Sequence, residues 1–273
     1  MELNRKIDFA IKLLQAIPQD GTIELSYSGG KDSDVILELA KMSGIPFEPI
    51  YKNTTIDPPG TIAHCREMGV KIMPPKKSFF EIVRQKGFPS RFTRFCCEVL
   101  KEYKIHDRAI QGIRREESTK RAERYKEPEF CRTYPKGDKV RIYLPILEWT
   151  LEDVAIFVKD RGLKLAPVYY REDGSIDFTK RLGCIGCPLA SEKKRIEAYK
   201  DYPKMLKAQL RAIQDFYELH PDTVGTKMWG GDAYKKMAAG LFFSDNPKEL
   251  LEDGLFEMPN AKKFLEEYFG IEL

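Results

Sequence analysis

The segment Thr22-Ile-Glu-Leu-Ser-Tyr-Ser-Gly-Gly-Lys-Asp-Ser-Asp34 decides the fold. A short β-prone run from Thr22 to Tyr27 leads into a Ser-Gly-Gly turn, and a helical pattern of apolar residues resumes from Asp34. Glycines let an anion approach the main chain, and the first turn of a helix presents N–H groups and positive charge to it. A tight turn with a helix cap would explain Gly-Gly alone, but the complete string predicts a phosphate-binding loop. Its residues are Ser28, Gly29, Gly30, Lys31, Asp32 and Ser33.

The polar side chains of this loop suit a phosphate. Lys31 supplies a mobile ammonium group, which also makes it a candidate catalytic residue, while Ser28, Asp32 and Ser33 can offer a hydroxyl or carboxylate to a phosphate or its magnesium ion. The spacing differs from the Walker pattern, in which two glycines stand further apart before Lys and Ser or Thr. We therefore expect a phosphate loop of another kind.

Helical and β-prone segments alternate around the loop. A helix is predicted over 4–17, before the loop. Further predictions are strands at 47–51, 70–73 and 140–144, helices at 61–68, 79–86 and 151–161, and a helix plus a strand within 104–112. This order predicts an α/β fold with a doubly wound, mostly parallel sheet. Lysine-rich helices are predicted at 192–199, 204–220 and 261–269, so we divide the chain into a loop-bearing domain, 1–190, and a helical C-terminal extension, 191–273.

The composition is that of an ordinary soluble protein, with 42% hydrophobic and 32% charged residues. Apolar runs are short and the N-terminus lacks the apolar core of a signal peptide, so we expect a cytoplasmic protein without a membrane partner. The stretch from Arg84 to Arg141 is rich in Lys and Arg. It is either a solvated basic face or a surface for an anionic partner.

Four cysteines form two pairs, Cys96-Cys97 and Cys184-Ile-Gly-Cys187. Because the cytosol keeps thiols reduced, metal binding or catalysis is the better prediction than disulfides. Four thiolates can close around one metal centre, and both zinc and an iron–sulfur cluster are chemically admissible. Buried cysteines without a metal are the alternative.

The loop string resembles the PP-loop of the adenine nucleotide α-hydrolases, a superfamily that holds ATP pyrophosphatases and sulfonucleotide reductases. Arg94-Phe-Cys-Cys-Glu-Val-Leu-Lys101 and Arg181-Leu-Gly-Cys-Ile-Gly-Cys-Pro188 resemble the phosphoadenosine phosphosulfate (PAPS) reductase family, in particular its branch with a [4Fe-4S] cluster. Other motifs follow in the family's order: Asn53-Thr-Thr-Ile-Asp57, Gly112-Ile-Arg-Arg-Glu-Glu-Ser118 and Pro145-Ile-Leu-Glu-Trp149. The resemblance covers roughly residues 20 to 190.

This resemblance implies roles for residues outside the loop. Arg114 and Ser118 would face the anionic end of the nucleotide, with Arg114 a second candidate catalytic residue, and Asn53, Asp57 and Gly112 would complete the nucleotide site. The planar guanidinium of Arg114 suits phosphate or sulfate oxygens, although a surface salt bridge or a plain turn would explain single residues of this set. The cluster ligands implied are Cys96, Cys97, Cys184 and Cys187.

The sequence departs from the family's reductases in one respect. Those enzymes resemble one another in a Glu-Cys-Gly motif whose cysteine attacks the substrate's sulfur, and no cysteine follows Cys187 here. The first hypothesis is therefore ATP activation with pyrophosphate release linked to transfer of sulfur or another nucleophile to the adenylated acceptor. Its candidate partners are a thiol or sulfur-donor protein and, by resemblance to the DNA phosphorothioation sulfurtransferases, a nucleic-acid acceptor. The second is reduction of adenylyl sulfate or PAPS by a partner's thiol. The third is a basic nucleic-acid-binding module with structural zinc.

Overall fold

The computed structural model describes residues 2–243 and 260–273. By internal contacts these residues form two compact units that interleave along the chain. The first contains the residues up to Asn53, Pro58–Pro74 and Leu100–Gly183, and the second contains Thr54–Asp57, Pro75–Val99 and the described residues from Cys184 onward. The predicted boundary near residue 190 divides the chain at one point, whereas each unit contains several separate segments of the chain. The predicted domain division stays a prediction.

The first unit is built on a six-stranded sheet with the order β3-β2-β1-β4-β6-β5. Its strands are β1 Ile23–Tyr27, β2 Glu48–Lys52, β3 Lys71–Met73, β4 Arg108–Gln111, β5 Glu129–Thr133 and β6 Lys139–Tyr143. All neighbouring strands run parallel except β5, which pairs antiparallel with β6 at one edge. The predicted α/β fold with a mostly parallel sheet is confirmed.

Helices surround this sheet. Those that begin in the first unit are α1 Leu3–Gln15, α2 Lys31–Ser43, α3 Thr61–Glu67, α6 Thr119–Arg124 and α7 Leu151–Asp160. One cluster of buried side chains joins α1, α2 and α7 to alternate residues of β1, among them Ile23 and Leu25. A second cluster contains Ala109 of β4 and Ile142 of β6. Ile110 of β4 belongs to the first cluster and Ala109 to the second, so alternation along this strand places apolar groups on both faces of the sheet.

One local prediction is wrong. The segment 101–107 forms turns and bends rather than a helix, and only the strand Arg108–Gln111 follows the expectation for 104–112. The carbonyl of Tyr103 accepts a hydrogen bond from Lys52 Nζ at 2.7 Å, and Lys52 lies over the Tyr103 ring. These contacts with a residue of β2 engage the segment in tertiary structure, which overrides the local helical preference.

The second unit is helical. It contains α4 Phe79–Lys86, most of α5 Phe95–Leu100, α8 Glu192–Asp201, α9 Pro203–Leu219, α10 Val224–Met228, α11 Ala233–Phe242 and α12 Ala261–Phe269. The helix α4 packs along α9, and Arg84 Nε donates to Asp215 at 2.6 Å. The predicted helical C-terminal region is confirmed. Nowhere in residues 2–243 or 260–273 is a helix both long and apolar enough to cross a bilayer.

Candidate functional site

The loop from Ser28 to Gly30 joins β1 to α2 at the centre of the sheet. Along the chain, β2 and β3 lie to one side of β1 and β4 to the other, so the strand order reverses at β1. Open α/β sheets bind ligands at such switch points, beyond the carboxyl ends of the strands. Gly29 has φ +78°, and Gly30 is the N-cap of the 13-residue helix α2. The loop therefore places the positive end of α2 at the switch point.

Lys31 is buried in the first turn of α2, with 3% of its surface exposed. Its backbone N–H donates to the Tyr169 hydroxyl at 3.1 Å, and its Nζ donates to the carbonyl of Lys180 at 3.3 Å. Burial lowers the pKa of Lys31, while the carboxylate of Asp32, 3.5 Å from Nζ, opposes that shift. The ammonium group is held in place and largely stripped of water.

Arg114 approaches the same carboxylate from the segment that follows β4. Its Nε donates to Asp32 Oδ1 at 2.6 Å, and Nη1 donates to Glu116 Oε2 at 2.8 Å. Gly112 makes this approach feasible, because a Cβ there would lie only 2.8 Å from the backbone oxygen of Asp32. A buried lysine and a buried arginine thus meet on one acidic residue of the loop.

Two more arginines contribute to the positive charge at this position. Arg181 Nη2 donates to the carbonyl of Glu117 at 3.0 Å, and Arg121 is paired with the side chain of Glu117. Burial lowers the pKa of Arg121, and the nearby positive charge of Arg181 lowers it further. The cations Lys31, Arg114, Arg121 and Arg181 therefore form one group, in which an anion with several charges would be stabilised.

The four paired cysteines all belong to the second unit. Cys96 and Cys97 lie in the first turn of α5, and Cys187 N–H closes a turn onto the Cys184 carbonyl at 3.2 Å. Arg91 connects the two segments, since its Nε donates to the Pro188 carbonyl at 3.2 Å.

The thiols of this cysteine group are close enough to interact. A hydrogen bond with Cys97 raises the pKa of Cys96, burial adds to the shift, and the thiols of Cys187 and Cys184 raise it further. Within the described ranges, no group of three or more His, Cys, Asp or Glu side chains is arranged to hold a metal ion. The four thiols are nevertheless gathered in one region, and they are the soft donors that iron–sulfur clusters and zinc take.

The family model of the phosphoadenosine phosphosulfate reductase domain matches residues 22–190. The chain belongs to this PAPS reductase domain family. The match includes the whole sheet, the loop after β1 and both cysteine pairs.

The chain is also similar to two other proteins in sequence and to one solved structure. An uncharacterised protein of Methanocaldococcus jannaschii is 27% identical over 214 residues, covering 72% of this chain and 42% of that protein. Sulfate adenylyltransferase subunit 2 of Shewanella pealeana is 27% identical over 183 residues, covering 54% of this chain and 60% of that protein. The PAPS reductase of Candida auris, solved as a phosphate complex, has a TM-score of 0.45 and 14% identity, covering 64% of this chain and 93% of that one. The chain spans less than half the length of the M. jannaschii relative.

The remaining residues predicted for the nucleotide lie at several places. Ser33 Oγ donates to the Gly30 carbonyl at 2.6 Å, and Ser28 Oγ lies 3.4 Å from Ser33 Oγ. Asn53 follows β2 in the first unit, where its N–H donates to the Met73 carbonyl at 3.1 Å.

Two more of these residues have local roles. Asp57 belongs to the second unit and accepts a hydrogen bond from Thr54 Oγ1 at 2.6 Å. Ser118 caps α6 by accepting from Arg121 N–H at 3.2 Å. The nucleotide roles of Asn53, Asp57 and Ser118 stay predictions.

Sequence reasoning missed the residues that support the loop from a distance in the chain. Tyr169 accepts hydrogen bonds from the Lys31 and Leu182 N–H groups. Beneath the loop, His64 Nε2 lies 2.9 Å from Asp34 Oδ1, which also accepts from Tyr27. No local pattern marks these residues, because each contact joins separate elements of the fold.

Proposed function

We propose that this chain binds ATP at the loop from Ser28 to Ser33 and activates it by pyrophosphatase-type chemistry linked to sulfur transfer. The observation that carries the proposal is the meeting of Lys31 and Arg114 on Asp32, at the N-terminus of α2. Both cations are buried and fixed, which is the arrangement that stabilises developing negative charge. The similarity to sulfate adenylyltransferase subunit 2 supports ATP as the nucleotide.

The proposed reaction transfers the adenylyl group. An oxygen nucleophile of the acceptor forms a bond to the α-phosphorus of ATP, the bond from that phosphorus to the bridging oxygen breaks, and pyrophosphate leaves with the electron pair. Lys31, Arg114 and the positive end of α2 stabilise the charge that grows on the leaving group. The outer sulfur of a persulfide on the donor protein then bonds to the activated atom of the acceptor, and AMP leaves with the acceptor's oxygen. A second thiol of the donor protein attacks the inner sulfur of the persulfide, so the S–S bond breaks, the sulfur stays on the acceptor and the donor's two thiols are oxidised to a disulfide. A magnesium ion bound with the nucleotide would neutralise part of the phosphate charge.

We further propose that Cys96, Cys97, Cys184 and Cys187 hold a [4Fe-4S] cluster. The donor set fits, because four thiols from two segments share one region and Arg91 connects the segments. When bound, a cluster would supply either sulfur relay and electron transfer or simple structural support, and zinc would supply only the latter.

Reduction of adenylyl sulfate or PAPS is the second candidate. The presence of Arg121 and Arg181 beside Lys31 and Arg114 favours it, since a nucleotide with an additional sulfate or phosphate carries further anionic oxygens. In that reaction a partner's thiolate bonds to the substrate sulfur and the nucleotide leaves. A second thiol of the partner then releases sulfite, and the two partner thiols are oxidised to a disulfide.

Two labelled substrates separate the candidates. We expect pyrophosphate release from γ-labelled ATP, and loss of that release in Lys31→Met but not in the exposed control Lys164→Met. Release of sulfite from labelled adenylyl sulfate, with no turnover of ATP, would instead establish the reductase. Failure to bind either nucleotide, together with binding of single-stranded nucleic acid, would favour the nucleic-acid module.

Anaerobic purification with metal analysis tests the cysteine group. We expect iron and acid-labile sulfide with visible brown absorbance, retained in Cys131→Ala and lost in Cys96→Ala and Cys184→Ala. Cys131 is a suitable control because it is exposed and lies in the other unit. Stoichiometric zinc without iron would refute the cluster and leave a structural site.

A further inference from the structure

The hydroxyl group of Tyr169 lies at the start of α2. This residue ends the 3₁₀ helix Pro167–Tyr169, and 1% of its surface is exposed. Its oxygen accepts a hydrogen bond from Lys31 N–H at 3.1 Å and another from Leu182 N–H at 3.3 Å. The hydroxyl thereby joins the first turn of α2 to the segment before the second cysteine pair.

The two acceptor bonds leave the hydroxyl proton for another partner. A phenolic oxygen carries one proton to donate in addition to its lone pairs. Among the described residues, no side chain or carbonyl accepts that proton, since both hydrogen bonds of Tyr169 have the oxygen as acceptor. Burial raises the pKa of Tyr169 to about 12, so the proton is present at neutral pH.

The Tyr169 hydroxyl lies close to the position that a Cβ atom would take at Gly30. A Cβ at Gly30 would stand 3.2 Å from the Tyr169 oxygen. The sequence nominates two loop hydroxyls as donors, and both have partners within the loop: Ser33 Oγ donates to the Gly30 carbonyl at 2.6 Å, and Ser28 Oγ lies 3.4 Å from Ser33 Oγ. Tyr169 is therefore a neutral donor with an uncommitted proton beside the main chain of Gly30 and Lys31.

We propose that Tyr169 donates its hydroxyl hydrogen bond to a phosphate oxygen of the ligand bound at the loop from Ser28 to Ser33. This inference rests on one part of the proposed function, which is that the loop binds phosphate. It applies equally to ATP, pyrophosphate and an adenylated sulfate. Tyr169 is then a binding residue as well as a support for the main chain of Lys31.

The alternative is a purely structural role, in which only the oxygen's acceptor function matters. Tyr169→Phe does not separate the two, because it removes the acceptor and the donor together. A fluorinated tyrosine at position 169 does, since fluorine makes the hydroxyl more acidic while the oxygen remains in place. Once deprotonated, that oxygen accepts from Lys31 and Leu182 as before but repels a phosphate.

The experiment measures pyrophosphate affinity by calorimetry over a range of pH, for the native protein and for the protein with fluorotyrosine at 169. Below the pKa of the fluorinated hydroxyl we expect equal affinities. Above it we expect the fluorinated protein to bind roughly ten- to a hundredfold more weakly, as for loss of a hydrogen bond to a charged group. Fluorotyrosine at Tyr170, whose hydroxyl accepts from Leu165 N–H at 3.1 Å, is the matched control and should show no change.

Other groups that titrate near the Tyr169 hydroxyl cancel in this ratio. Lys31, Asp32, Asp34 and Tyr27 face it from β1 and α2, and all are unchanged in both proteins. A ratio that stays constant with pH, while both proteins bind pyrophosphate, would overturn the donor role of Tyr169 alone. Absence of pyrophosphate binding by the native protein would overturn the phosphate loop and this proposal together.

Discussion

Substitution of Gly112 by alanine tests the close packing of the segment after β4 against the loop. The added Cβ would lie 2.8 Å from the backbone oxygen and 3.1 Å from the carbonyl carbon of Asp32, whereas ordinary contact begins near 3.4 Å. These are backbone atoms in the first turn of α2, so they cannot rotate away as a side chain would. Either the turn or the end of β4 must move by several tenths of an ångström.

The expected magnitude follows from that displacement. Overpacking of this kind lowers the free energy of unfolding by roughly 1–3 kcal/mol. Because the shift moves Asp32 and with it Arg114, pyrophosphate affinity should fall by about tenfold, given that a full ångström of misplacement can cost about a hundredfold in function. Gly21→Ala is the matched control, since its Cβ would meet nothing nearer than 3.6 Å.

Urea unfolding and pyrophosphate titration on both variants provide the assay. We expect the unfolding midpoint of Gly112→Ala to fall with an unchanged slope, while Gly21→Ala resembles the native protein. If Gly112→Ala matches Gly21→Ala in both stability and affinity, the close approach of β4 to the loop does not exist, and the placement of Arg114 on Asp32 fails with it.

Three further predictions concern single side chains. Burial lowers the pKa of Lys31 below its usual 10.5, and pyrophosphate prefers the charged form, so pyrophosphate affinity should fall as pH rises through that lowered pKa. Lys31→Arg should flatten this pH dependence of affinity, and a variant with the same pH profile as the native protein would contradict the prediction. Arg114→Met should lower the free energy of unfolding by about 3 kcal/mol. This is the lower end of the range for a broken buried ion pair, because Asp32 still has Lys31 as a partner. A melting temperature equal to that of the native protein would refute this prediction. Gln209→Leu removes the hydrogen bond that Nε2 donates to the Ile185 carbonyl at 3.0 Å, so it should lower the free energy of unfolding by about 1–3 kcal/mol and speed thiol labelling at the cysteine group. Labelling no faster than in the surface variant Gln85→Leu would show that α9 does not support the turn from Cys184 to Cys187.

The parts of the site that sequence could predict are those made by neighbouring residues. Ser28 to Ser33 form a loop and helix start whose φ angle at Gly29 and N-cap at Gly30 follow from the residues themselves. The strands β1, β2 and β6 could also be predicted from the sequence, because each is a short β-prone segment next to turn residues. The family followed from the order of short motifs, which the match over residues 22–190 confirms.

The parts that sequence missed depend on contacts across the fold. The hydrogen bond from Lys31 N–H to the Tyr169 hydroxyl joins residues 138 positions apart in the chain. The sequence next to Tyr169 contains nothing that distinguishes it from an ordinary core tyrosine. The edge strand β5 also escaped prediction, since its residues alternate between exposed and half-buried without a strong apolar face. For Arg114 the sequence predicted a role towards an anion but not its partner, because the bond to Asp32 forms only when β1 and β4 lie side by side.

The acidic residue Asp32 has a physical purpose inside the proposed anion site. Lys31 and Arg114 are almost fully buried, with side chains 3% and 4% exposed, and two such cations would repel one another without Asp32 between them. The carboxylate keeps both side chains ordered and desolvated before any ligand arrives, so a phosphate need not supply that ordering. Asp32 is also the most exposed of the three, at 17%, so an incoming anion must compete with it for the cations. A monovalent anion offers no more charge than Asp32 already does, whereas pyrophosphate or a nucleotide polyphosphate offers several, so this competition would favour a polyanion at the proposed site.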